Sequence, residues 1–310
     1  MPLKQSITSL SHPVDLSGKT ALVIGATAGI GAAVARQLAE MGAITIIVGR
    51  DPAKLETMRR ELDAIAPGRV HAQQADLADL ASVEHAARAL RVHPRLDIVV
   101  ANASIRTAGT TRAFTKDGFE STFGVNHLGN AAFLLALEEP IRAAPAGRVV
   151  IMASEAHRRA KELPMNDLMG EQQFDGALAY NRSKLANILF GRQLAERWPG
   201  TTIYAAHPGA VLTNMMTGTS GGSLVSRLII LLIRPLLLAP EEAAKGIVRL
   251  AADPDLTEPS GAYFEFGRPD RPAGLTDDRG LGQQLFEKTI ALLNKAGFRA
   301  SISGPPASAA

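Results

Sequence analysis

A buried-strand pattern near the N-terminus runs straight into a glycine-rich turn and then into a helix. Thr20-Ala21-Leu22-Val23-Ile24 is a short apolar run rich in branched residues, and Gly25-Ala26-Thr27-Ala28-Gly29-Ile30-Gly31 follows it directly. Apolar residues then recur at Val34, Leu38 and Met41, which is helical spacing. Strand, glycine turn and helix in that order suit a dinucleotide pyrophosphate. Glycines let the backbone approach the phosphates, and the helix N-terminus offers free N–H groups at the positive end of its dipole. With no ligand in mind, the same stretch reads as a plain tight turn. The glycine spacing is G-x-x-x-G-x-G, not G-x-G-x-x-G.

Downstream the pattern keeps alternating. Residues 44–48, 69–73, 97–101, 148–153, 201–206 and 261–266 read as strands, and 52–64, 79–91, 117–137, 177–198 and 283–296 read as helices. Such alternation predicts an α/β fold, a doubly wound parallel sheet with helices on both faces, as a single domain over 17–299. Ligands then belong beyond the carboxyl ends of the strands. Residues 1–16 have no apolar leader core and read as a loose arm, and the small, proline-containing tail 300–310 reads as disordered.

A second constellation sits in the helical pattern at 177–198. Tyr180 and Lys184 are four residues apart, so they share one helix face and can enter one pocket. An ammonium beside a phenol favours the phenolate, which makes the tyrosine a usable acid or base. Taken alone, the pair reads equally well as a solvated surface pair.

With the glycine turn, this pair resembles the short-chain dehydrogenase/reductase family. Further motifs follow in the family's order. Leu96-Asp97-Ile98-Val99-Val100-Ala101-Asn102-Ala103 is similar to its strand-four Asn-Ala-Gly motif, and Asn126 matches its helix asparagine. Ser154 matches its catalytic serine, and His207-Pro208-Gly209-Ala210-Val211-Leu212-Thr213 resembles its Pro-Gly loop. Glu155-Ala156-His157, Asn126-His127-Leu128-Gly129 and Ser183-Lys184-Leu185-Ala186-Asn187 resemble the retinol dehydrogenase and protochlorophyllide reductase branch. The resemblance covers about 17–270 and implies a Rossmann-type fold.

The resemblance also assigns roles. Tyr180 is the general acid or base, Ser154 holds the substrate oxygen, Lys184 lowers the Tyr180 pKa and grips a ribose, and Asn126 ties Lys184 to a water chain. The cofactor site it implies comprises Gly25, Thr27, Ala28, Gly29, Ile30, Gly31, Arg50, Asp76, Leu77, Asn102, Ala103, Tyr180, Lys184, Pro208, Gly209, Val211 and Thr213. Members that use NAD usually end the second strand with aspartate. Here the position is Gly49, followed by Arg50, so a 2′-phosphate meets a guanidinium and NADP(H) is expected over NAD(H). Asp76 reads equally as a helix cap. Three departures stand out: Ile24 replaces the usual threonine, Ser104 the glycine of Asn-Ala-Gly, and Ala153 the first of a common serine pair.

Composition removes several function classes. With no cysteine there is no thiolate nucleophile, disulfide or cysteine–zinc site. Seven histidines show no ligand spacing, so no metal is expected, and a formal charge of +3 spread along the chain gives no nucleic-acid patch. The stretch 224–240 is strongly apolar but broken by Arg227, Arg234 and Pro235, too short to span a bilayer. It reads as a lid over a lipophilic pocket within 214–240, as a peripheral membrane contact through 224–238, or as an oligomer contact, with 217–222 as a hinge. The expected protein is a cytoplasmic, optionally membrane-associated NADP(H)-dependent oxidoreductase acting on a lipophilic alcohol, aldehyde or ketone. The family resemblance also allows a homodimer through the tyrosine helix. The alternatives are a carbon–carbon double-bond reductase on the same fold and a non-catalytic dinucleotide-sensing or membrane-peripheral protein.

Overall fold

The first strand, β1 (Thr20–Ile24), has no exposed residue, which is why its sequence reads as an unbroken apolar run. The computed structural model describes residues 6–209, 211 and 238–299. Thr213, the 217–222 stretch, nearly all of 224–240 and the tail 300–310 lie outside the described residues.

The chain continues through α1 (Gly29–Glu40), β2 (Ile44–Gly49), α2 (Pro52–Asp63), β3 (Val70–Gln74), α3 (Leu80–Leu90) and β4 (Ile98–Ala101). Helix α4 spans 121–136, and β5 (Arg148–Met152) follows the short α5 (Glu138–Arg142). After a 3-10 turn (Glu155–Arg159) come α6 (Gly176–Arg197), β6 (Thr202–His207), α7 (Pro240–Ala252), β7 (Tyr263–Glu265), β8 (Arg268–Asp270) and α8 (Arg279–Lys295).

The eight strands form one sheet in the order β3-β2-β1-β4-β5-β6-β7-β8. All neighbouring pairs are parallel except β7 with β8, which is antiparallel. This is the expected doubly wound α/β Rossmann-type fold, with a short hairpin closing one edge. Alternate residues of β1 serve opposite faces. Leu22 and Ile24 join a core with α3, α4, α6 and α8, whereas Ala21 and Val23 join one with α1, α2 and α7. The order reverses between β1 and β4, so a crevice opens at their carboxyl ends, where Gly25 and Asn102 lie.

Three elements differ from the sequence expectation. The arm is held rather than loose from Ser6 onward: Thr8 N–H donates to Phe266 O at 2.9 Å, Arg268 Nε donates to Thr8 Oγ1 at 2.7 Å, and Leu16 N–H donates to Met41 O at 2.7 Å. The helix expected over 117–137 begins at Ser121, capped by Glu120 Oε1 and Oε2, and carries a π-helical turn over Gly124–Gly129. Asn130 Nδ2 donates to the carbonyls of Val125 and Asn126 at 3.1 Å each, satisfying groups that the wide turn releases. Helix α7 was not expected, although Pro240 at its start and the acidic Glu241 and Glu242 in its first turn are N-terminal signals.

Helix α8 lies along α6. Phe286 stacks on Phe190 with centroids 5.5 Å apart, and the Arg197 guanidinium sits 4.1 Å from the Phe286 ring centre. One face of α6 is thus taken by a helix of the same chain.

Candidate active site

The glycine turn is built by close approach. Gly25 has φ +83°, and a Cβ there would lie 2.7 Å from Ala103 Cα, while one on Gly31 would overlap Gly25 O and the Asn102 amide. Asn102 Nδ2 donates to Gly25 O at 2.9 Å, and the N–H groups of Gly25 and Ala26 donate to Val48 O at 2.9 and 3.0 Å. These bonds brace the turn in place of the hydroxyl that Ile24 lacks.

A cleft of about 360 Å³ opens over the turn. It is lined by Gly25, Thr27, Ala28, Gly29, Ile30, Arg50, Asp76, Leu77, Asn102 and Ala103, all expected from the sequence. Gly49, Ser104, Ile105 and Val125 complete the wall. Asp76 Oδ1 accepts from Ala78 N–H at 3.0 Å, and Asp79 caps α3, so the alternative reading of Asp76 as a helix cap falls to its neighbour. Ser104 Oγ is buried in this wall with no partner among the described residues. The fit to a dinucleotide is therefore direct: a backbone cradle that side chains would fill, a helix N-terminus facing it, and an unmatched hydroxyl in the wall.

The acid/base group lies at the ends of β5 and in α6. Ser154, just past β5, has its Oγ accepting from Ala156 N–H at 3.2 Å. Its own proton is left to donate, and the Tyr180 oxygen is the partner within reach. His157 Nε2 accepts from Ala273 N–H at 3.1 Å, so its Nδ1–H donates to Ser154 O, 2.6 Å away, and fixes the serine backbone. Asp175 caps α6 through Leu178 N–H, and one turn in, Tyr180 and Lys184 project together. Lys184 Nζ lies 5.6 Å from the Tyr180 ring centre and donates to Met152 O at 3.2 Å.

Burial pushes the Tyr180 phenol above its usual range, while a hydrogen bond to Ser154 and the Arg106 charge pull it down. Burial also pulls the Lys184 ammonium down to about 7. The expected lowering of Tyr180 by Lys184 is thus not the leading effect here; desolvation is. Asn126 is fully buried, with Oδ1 accepting from Ile105 N–H at 2.7 Å and Nδ2 donating to Ile105 O at 2.9 Å and to Ser183 Oγ at 3.1 Å. Its side chain thus reaches the tyrosine helix at Ser183, next to Lys184.

Pro208 and Gly209 follow β6, and Gly209 has φ +98°. Val211 pairs with Leu238 in an isolated parallel bridge. Just before this turn, His207 is pulled down to about 4 by burial, helped by nearby His157, Lys184 and Arg158. Its neighbour Glu265, across the strand pair, is pushed up to about 7 by burial and by Asp270.

The family model for short chain dehydrogenases matches residues 19–222. The chain belongs to the short-chain dehydrogenase family. This dehydrogenase is 36% identical over 280 residues to a candidate daunorubicin C-13 ketoreductase of a Streptomyces species, covering 89% of this chain and 93% of that one. It is 35% identical to human retinol dehydrogenase 14 over 303 residues, covering 92% and 89%. These relatives place it in the retinol dehydrogenase-like branch, among oxidoreductases of alcohols and carbonyls. Among solved structures, the dehydrogenase resembles an uncharacterised protein of Mycobacterium paratuberculosis at TM-score 0.74 and 27% identity, over 96% of this chain and 100% of that one. It also resembles the Pseudomonas aeruginosa RhlG/NADP active-site complex at TM-score 0.66 and 25% identity, over 86% and 99%.

Proposed function

We propose that this protein is an NADP(H)-dependent oxidoreductase that interconverts the carbonyl and alcohol forms of a lipophilic small molecule, with Tyr180 as general acid and base. The convergence of Ser154, Tyr180 and Lys184, joined to the cleft wall at Ile105 through Asn126 and Ser183, carries this reading. The bound cofactor supplies or accepts the hydride. Ser154 donates its free proton to the substrate oxygen and Tyr180 transfers the proton at that oxygen. Lys184 holds the cofactor's ribose, and Asn126 keeps the β4 loop in register with the tyrosine helix. Pro208, Gly209 and Val211 would shape the nicotinamide end, as the family's Pro-Gly loop implies; Thr213, the fourth residue expected there, lies outside the described residues.

The preference for NADP(H) rests on the end of β2. A Cβ on Gly49 would overlap the Thr27 methyl, so an aspartate there would require the Thr27 side chain in the cleft to shift. Arg50 next to it lines the cleft, is exposed and has no ion pair among the described residues, which leaves its charge for a 2′-phosphate. The lipophilic substrate rests on the apolar 224–240 stretch and on relatives named for retinol and for the daunorubicin C-13 ketone.

Calorimetric titration of the purified protein with NADPH and NADH tests the cofactor reading. Tight NADPH binding beside weak NADH binding is expected, weakened at least tenfold for NADPH in Arg50→Ala. A preference for NADH defeats the cofactor assignment. Binding of neither moves the non-catalytic alternative to first place.

A further inference from the structure

Among the described residues, Tyr180 meets two cations, and they differ in kind. Lys184 is buried and turned toward the Met152 carbonyl, and burial holds it at about 7, so much of its charge is gone at mildly alkaline pH. Arg106 stands on the loop leaving β4, with its guanidinium carbon 5.5 Å from the Tyr180 ring centre. It is exposed and has no hydrogen-bond or ion-pair partner for its side chain among the described residues. A guanidinium keeps its charge at any pH at which the fold survives.

We propose that Arg106 is a positioning residue that acts through Tyr180, its guanidinium over the ring stabilising the phenolate. A cation over an aromatic face is attracted to it, and the attraction grows when the ring takes a full negative charge. Among the described residues, the polar and charged groups facing Tyr180 are Ser154 from the turn after β5, Lys184 from its own helix and Arg106 from the β4 loop. Of the two cations, Arg106 is the one that pulls the phenol down against burial. The family motifs explain the asparagine, serine, tyrosine and lysine but assign nothing to this position.

The inference rests on Tyr180 being the acid/base group, but its test reads ionisation alone, without substrate or cofactor. The chain has three tyrosines, and burial holds both Tyr204 and Tyr263 above the usual range. Tyrosinate absorbance is followed after a rapid jump to alkaline pH, before the fold is lost, and the trace of Tyr180→Phe is subtracted. Arg106→Leu should move Tyr180 ionisation upward by about half a pH unit or more, and Arg106→Lys should recover only part of that shift, because an ordinary ammonium loses its charge at about the pH at which Tyr180 ionises. Circular dichroism checks that both variants fold, as an exposed position favours. Unchanged ionisation in Arg106→Leu overturns the proposal, and so does a shift to lower pH in that variant. The expected shifts in a protein that reduces no carbonyl would leave the inference standing and defeat the enzymatic reading instead.

Discussion

At the scale of single residues, the account divides the work among a few side chains. Tyr180→Phe keeps the ring and removes the proton. It should lower turnover by about 10²–10⁴-fold while calorimetry shows NADPH binding within a few-fold of the parent. Equal loss of binding would mean that Tyr180 serves the fold and not the chemistry. Gly49→Asp is the reciprocal probe of the cofactor end. Its side chain would meet the Thr27 methyl, so it should weaken NADPH binding without creating NADH binding. Acquired NADH binding would contradict the steric argument. Ser154, Tyr180 and Lys184 were legible because a strand end and one helical turn fix them locally. Arg106 and His157 were not, because what they do depends on Tyr180 and Ala273, which only the folded chain brings near. The direction of the Tyr180 shift was also beyond a sequence reading, because burial decides it.

At the scale of elements, caps and turns decided where the reading succeeded. Asp51, Asp79, Asp175 and Asp278 each accept backbone N–H groups at a helix start. Asp175→Ala should cost about 1 kcal/mol in urea unfolding and, since α6 is long and well packed, leave NADPH affinity unchanged. A large loss of affinity would show that the cap also sets the approach of Tyr180. The interrupted course of α4 was not legible, because the side-chain amide of Asn130 that supports the π-helical turn looks like any helix-interior polar group in sequence. Helix α7 was overlooked because the apolar run before it dominated the local pattern. The start of α8 at Arg279 was also missed by a few residues, although Asp278 is an ordinary capping signal.

For the whole molecule, the doubly wound fold class is legible in the alternation, since β1 through β6 are parallel strands with helical crossovers, all but the edge strand β3 largely buried. The β7–β8 hairpin and the docking of residues 6–16 against it depend on contacts between the two ends of the chain, which no local pattern encodes. Burial also predicts an acid sensitivity. His127 and His207 are both held at about 4, below the ordinary 6.5 of an unfolded histidine. The unfolded chain therefore takes up more protons, and stability falls as pH drops from 6.5 toward 4. Glu265, held at about 7, opposes this as pH falls toward 4.5, because the folded chain then binds the extra proton. Two histidines against one partly exposed carboxyl leave a net loss on the order of 2 kcal/mol between pH 7 and pH 5. Urea midpoints at the two pH values check it, and a higher midpoint at pH 5 would contradict the histidine assignment.

The most direct test of the central claim follows the hydride itself. The protein is incubated with NADPH deuterated at nicotinamide C4, separately with retinaldehyde and with an anthracycline ketone, and the products are read by mass spectrometry. Deuterium on the newly formed carbinol carbon, lost in Tyr180→Phe, is the predicted result. Deuterium on a former double-bond carbon would establish the double-bond reductase instead, and no transfer to either compound from a protein that binds NADPH would contradict the account.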